Sequence, residues 1–140
     1  MEVSYVRKRI QGAIAGARQQ AQQQRQAVAE AERTYATFLE QIATPVARQV
    51  ANALKVEGVG VTLSTPGNGL RLAADRGRND FIELVLDTDT PQPQVIGRIS
   101  YTRGSRTLDE ERPLKAAPPD QLTEDDVLEF FLAALEPWLR

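Results

Sequence analysis

The chain has 140 residues, a formal net charge of −2, and neither histidine nor cysteine. A single domain is expected at this length, and the two missing residue types remove the usual general base, the soft metal ligands and the thiol nucleophile. With no disulfide possible and no apolar run of about 18 residues, the expectation is a cytoplasmic soluble protein.

The charge is unevenly placed. Residues 1–29 carry Arg7, Lys8, Arg9, Arg18 and Arg25 against Glu2 alone, whereas residues 107–140 carry nine acids against Arg112, Lys115 and Arg140. A basic head and an acidic tail can pair within one chain or present opposite poles to partners. The charged start is not followed by an apolar stretch and cleavage site, so it does not read as a signal peptide.

From Glu2 to about Ala43 there is no proline and no cluster of turn residues, and Ala, Gln, Arg and Glu dominate. These favour helix, with Gly12 and Gly16 the exceptions. Val3, Ile10, Ala17, Ala31 and Phe38 interleave with Ile14, Ala21, Val28, Tyr35 and Ile42 in 4-then-3 spacing, a heptad pattern interrupted at Arg7 and Gln24. A helix of that length spans about 60 Å, roughly twice the width of the domain left to the remaining chain. It must overhang that domain, bend near its glycines, or find another helix: either it is a solvated amphipathic helix whose C-terminal half alone packs on the domain, or it pairs with a second helix.

Thr44-Pro45 reads as a restart, a capping residue followed by proline at the first helical position. Val46, Val50 and Leu54 then mark a second helix that stops at Glu57-Gly58. This divides the chain into a helical arm, 1–43, and a compact α+β domain, 44–140.

From Val59 to about Arg106 the period is two. Val59, Val61 and Leu63 alternate, Pro66-Gly67-Asn68-Gly69 turns, Leu70, Leu72 and Ala74 alternate again, and a polar break covers Asp75–Asn79. Phe81 to Asp87 is the clearest strand, with Ile82, Leu84 and Leu86 on one face and Phe81, Glu83, Val85 and Asp87 on the other. Thr90-Pro91-Gln92-Pro93 leads to a fourth strand, Val95 to Tyr101. Four short strands with short connections predict an antiparallel meander with one wet face. A charged, proline-rich connector follows from Asp109 to Gln121. The last helix starts at Leu122–Asp126, with Thr123 as cap and Asp126 in the capping-box position. Its stripe of Val127, Phe130, Phe131, Ala134, Leu135 and Trp138 should cover the dry face of the sheet.

Glu83, Asp87 and Asp89 lie on or beside the third strand, but Glu83 and Asp87 are about 13 Å apart at 3.3 Å per residue. That is too far to share a proton or a metal directly, and cross-strand pairs from Glu83 to Arg98 or Arg71 are the plainer reading. Arg98, Arg103, Ser105 and Arg106 could form an anion-binding patch at the end of the fourth strand. The glycine spacing there is neither that of a P-loop nor that of a dinucleotide fingerprint. Arg7, Arg18 and Arg25 fall within about 20° of one another on a helix, a thin basic stripe without interleaved aromatics. This suits a solvated face, or rim contacts to the acidic C-terminal region of a second chain, better than nucleic acid. Ser64, Ser100 and Ser105 have no histidine to activate them, and Lys55 and Lys115 stand in no recognisable motif.

The expected function is a non-catalytic protein-interaction or assembly module. It self-associates as a homodimer or larger oligomer through a coiled-coil-like helix, with Val3, Ile10, Ile14, Val28, Tyr35, Phe38 and Ile42 at the interface. A small anion- or ligand-binding domain built on the arginine patch is the alternative. No cofactor or metal is implied, and neither nucleic acid nor membrane is an expected partner. Another protein is a second candidate partner beside a copy of the chain itself.

Overall fold

In the computed structural model, which describes residues 1–76 and 79–139, Pro45 does not interrupt the first helix. Helix α1 (Val3–Phe38) passes through a π turn at Leu39–Ala43 directly into α2 (Thr44–Val56). The expected break at 43–44 is therefore corrected to one continuous helix with a local change of pitch. Proline lacks an amide hydrogen, and in an α-helix its ring collides with the carbonyl four residues back. Widening the preceding turn moves that carbonyl away, and the Thr44 amide duly reaches back five residues to the Leu39 carbonyl.

The helix ends where glycine permits it. Gly58 has φ +85°, its amide donates to the Lys55 carbonyl at 3.0 Å, and the Val59 amide donates to the Leu54 carbonyl at 2.8 Å. That is the left-handed closing motif favoured by glycine.

Five strands follow in an antiparallel sheet whose spatial order equals their chain order: β1 (Val61–Ser64), β2 (Leu70–Ala74), β3 (Phe81–Asp87), β4 (Gln94–Arg103) and β5 (Arg106–Pro113). The meander was expected; its fifth strand was not. Seven of the eight β5 residues are exposed, and only Leu108 is partly covered. A charged edge strand protects the sheet from pairing with other chains, and so it carries no alternation to read. Gly104, at φ +62°, and Ser105 form the two-residue turn that pairs Arg103 with Arg106. Of the polar break expected at Asp75–Asn79, residues 77 and 78 lie outside the described residues.

One face of the sheet is dry. Leu70, Leu72, Ile82, Leu84, Val95 and Ile99 form its inner layer, each with at most 1% of its surface exposed. Above them lie Val46, Ala47, Val50 and Leu54 of α2, together with Val127, Phe131, Ala134 and Leu135 of the C-terminal helix α3 (Glu124–Leu139). Tyr35 and Phe38 complete this core, their rings tilted at a centroid separation of 6.3 Å. The Tyr35 hydroxyl donates to the Leu84 carbonyl at 3.3 Å, which ties the long helix to the third strand. Burial, reinforced by the charge of Glu83, pushes that hydroxyl's pKa well above its ordinary range, so it stays protonated as a donor.

The start of α3 follows its sequence signal. The Asp126 amide donates to Thr123 Oγ1 at 3.2 Å and the Thr123 amide donates to Asp126 Oδ2 at 2.9 Å, a reciprocal capping box. The Thr123 amide holds the Asp126 carboxyl below its usual 3.8, and Lys115 acts in the same direction.

Candidate interaction surfaces

All of residues 1–23 are exposed, so the first part of α1 leaves the domain as a free arm. At 1.5 Å per residue this arm is about 30 Å long. Gln24, which breaks the heptad in sequence, is where the helix first meets the domain. Its amide donates to the Thr90 carbonyl in the β3–β4 connection at 3.1 Å. From there inward Ala31, Tyr35 and Phe38 are buried.

The seven residues expected at an interface therefore separate into two groups. Val3, Ile10 and Ile14 are exposed at 76%, 53% and 45%, and Val6 and Tyr5 join them on the arm. Tyr35 and Phe38 are core residues of the same chain, and Ile42 packs partly against that core. Val28 is half-buried in a shallow depression beside Gln24 and Glu32. The apolar stripe is interrupted at Arg7 and Gln24, and its C-terminal part is covered by the rest of the chain's own domain. Only the N-terminal half is left for another molecule.

The four residues of the expected anion patch are not gathered. Arg98 lies on the outer face of the sheet, where Glu83 and Glu111 are its register neighbours. Its Nε donates to Glu111 at 3.0 Å, and its guanidinium reaches Glu83 at 3.9 Å. Arg103, five residues on, points to the other face, with its guanidinium 5.7 Å from the Tyr101 ring centroid. Arg103 and Arg106 stand opposite one another at the end of the β4–β5 hairpin, and Ser105 is in its turn.

Arg71, Glu83, Arg98 and Glu111 make a ladder of alternating charge across β2 to β5. Glu83 is only 6% exposed, and Arg71 holds it through Nε at 2.7 Å and a terminal nitrogen at 2.6 Å. The same guanidinium lies 4.2 Å from the Phe81 ring centroid. These cross-strand pairs stabilise the outer face. Asp87 accepts the Asp89 amide at 3.0 Å. Among the described residues no three acids gather as a metal-binding group.

A second apolar surface went unread in the sequence. Leu128, Leu132 and Leu139 are exposed at 37%, 54% and 58% on α3, along the flank of its buried stripe. Helical spacing alone places them within about 40° of one another, and that was the signal available. Leu132 also borders a groove of about 730 Å³ between α3 and β5 that includes Leu108 and Glu129. Another groove, about 570 Å³, lies between α1 near Ala27 and Thr34 and the proline-rich segments at Pro91–Pro93 and Pro118–Pro119.

No helix among the described residues is long and apolar enough to cross a membrane. Comparison with family models, curated proteins and solved structures finds no significant match to this chain.

Proposed function

We propose that this protein is a non-catalytic assembly module that self-associates through the free N-terminal part of α1. One observation carries the reading: Val3, Val6, Ile10 and Ile14 lie exposed along one side of a helix, uncovered by any of the described residues. Burying a side chain of that size contributes about 1.5–3 kcal/mol. A stripe of four is therefore a strong incentive to associate and a poor surface to leave in water. The absence of histidine and cysteine supports a binding role over a catalytic one, and a chain without disulfides suits the cytoplasm.

Ile10→Asp tests the reading. The variant places a charge in the middle of the stripe without touching the core. Sedimentation velocity is expected to show a single chain of 15.5 kDa for the variant and a multiple of it for the parent. Circular dichroism of the two should agree. A variant that sediments like an associated parent removes the arm from the interface.

A further inference from the structure

We infer that the arm of one copy packs antiparallel on α3 of a second copy, an inference that rests on the self-association proposed above. Two helical stripes in this chain match one another in length, pattern and charge. On the arm, Val3, Val6, Ile10 and Ile14 fall within about 80° of the helix circumference. On α3, Leu128, Leu132 and Leu139 fall within about 40°. From Val3 to Ile14 and from Leu128 to Leu139 the rise is the same, about 16 Å.

Their charges are opposite. The arm carries Arg7, Lys8, Arg9 and Arg18 against Glu2, whereas α3 carries Glu124, Asp125, Asp126, Glu129 and Glu136 with no basic residue between Glu124 and Leu139. The placement is also specific. Arg7 and Arg18 follow the arm's apolar stripe on one side, in the sense of increasing helical angle. Asp125, Glu129 and Glu136 follow the α3 stripe on the same side. Two helices that face each other bring like-sided edges together only when they run antiparallel. With Ile10 opposite Leu132, the antiparallel register sets Val3 near Leu139 and Ile14 near Leu128. Arg18 then falls beside Asp125, and Arg7 beside Glu136.

The alternative arrangement, arm against arm, sets two basic helices side by side in either direction, and like charges at close range oppose it. The chain's own α3 is not the partner, because the arm leaves the domain with all of residues 1–23 exposed.

The native chain has no cysteine, so disulfide trapping is clean. Full-length Ile10→Cys and Leu132→Cys variants, each of parental mass and circular dichroism, are mixed and gently oxidised. Both positions are exposed in the single chain and tolerate the change. The expected main product is the mixed disulfide between the two variants. If Ile10→Cys instead links mainly to itself, the arms pair with one another, and the α3 docking is overturned while self-association stands. A parent that is associated but gives no mixed disulfide overturns the docking in the same way. A parent with the mass of one chain overturns both.

Discussion

Phe131→Ala is expected to destabilise the protein by about 3–5 kcal/mol, the cost of emptying the site of a fully buried aromatic ring. Phe131 has no exposed surface and lies in the core cluster, with the Phe130 ring centroid 5.7 Å away. Phe131 belongs to the same core cluster as Leu70, Leu72, Ile82 and Leu84, whose positions the strands fix. Small domains are stable by only about 5–15 kcal/mol, so this one truncation removes a large share. Urea unfolding followed by circular dichroism reads it as a fall in midpoint at unchanged slope. A loss under about 1 kcal/mol, the scale of a surface change, would mean that α3 does not cover this face of the sheet.

Gly97→Ala should be nearly as damaging although it adds one methyl group. In β4, Gly97 faces the core, and the Phe130 ring lies over it so closely that an added Cβ would come 2.0 Å from the ring's Cζ. The collision is with a packed aromatic ring, only 6% exposed, which has to leave its place. Overpacking of this kind costs about 1–3 kcal/mol. Its cause is separable by a double-mutant cycle. Phe130→Ala removes the ring, so Gly97→Ala made in that background loses its clash, and the pair should cost less than the sum by at least about 0.5 kcal/mol. Strictly additive costs would show that the glycine serves the strand and not the ring.

These two positions also show how far the sequence could be read. Phe131 belongs to a 3.6-residue stripe, and the alternation of Phe81–Asp87 assigned each side chain of β3 to its face. The capping pair of Thr123 and Asp126 and the stop at Gly58 were equally legible, because each rests on local backbone chemistry. Gly97 shows the limit. Nothing in its neighbours announces that an aromatic ring from a helix thirty-odd residues away will rest on it. β5 was illegible for a different reason, since an exposed charged edge has no apolar face to alternate.

The point at which the long helix leaves the domain was hidden as well. Heptad spacing continues through Val28, Tyr35 and Phe38, and it says which side is apolar but not what covers it. The chain's own domain covers the second half, and the point of departure is a glutamine, Gln24, hydrogen-bonded to a backbone carbonyl. The same limit applied to Pro45, where a π turn absorbed what proline would otherwise break. Arg98 stands apart from Arg103 and Arg106 for a simpler reason. Arg98 and Arg103 differ by an odd number of residues along one strand, and so they face opposite sides of the sheet.

Placing the boundary at Gln24 changes how the arm should be removed. A chain starting at Thr44 would lose Ala31, Tyr35, Phe38 and Ala43 from the core, and its behaviour would report on folding instead of assembly. A chain starting at Gln24 loses only exposed residues. The decisive measurement is the absolute mass in solution, by light scattering on a sizing column, of the full chain and of residues 24–140. The full chain is expected at twice 15.5 kDa or a larger multiple, and the shortened protein as a single folded chain. A full chain of 15.5 kDa, or a shortened protein that remains associated, would contradict self-association through the arm.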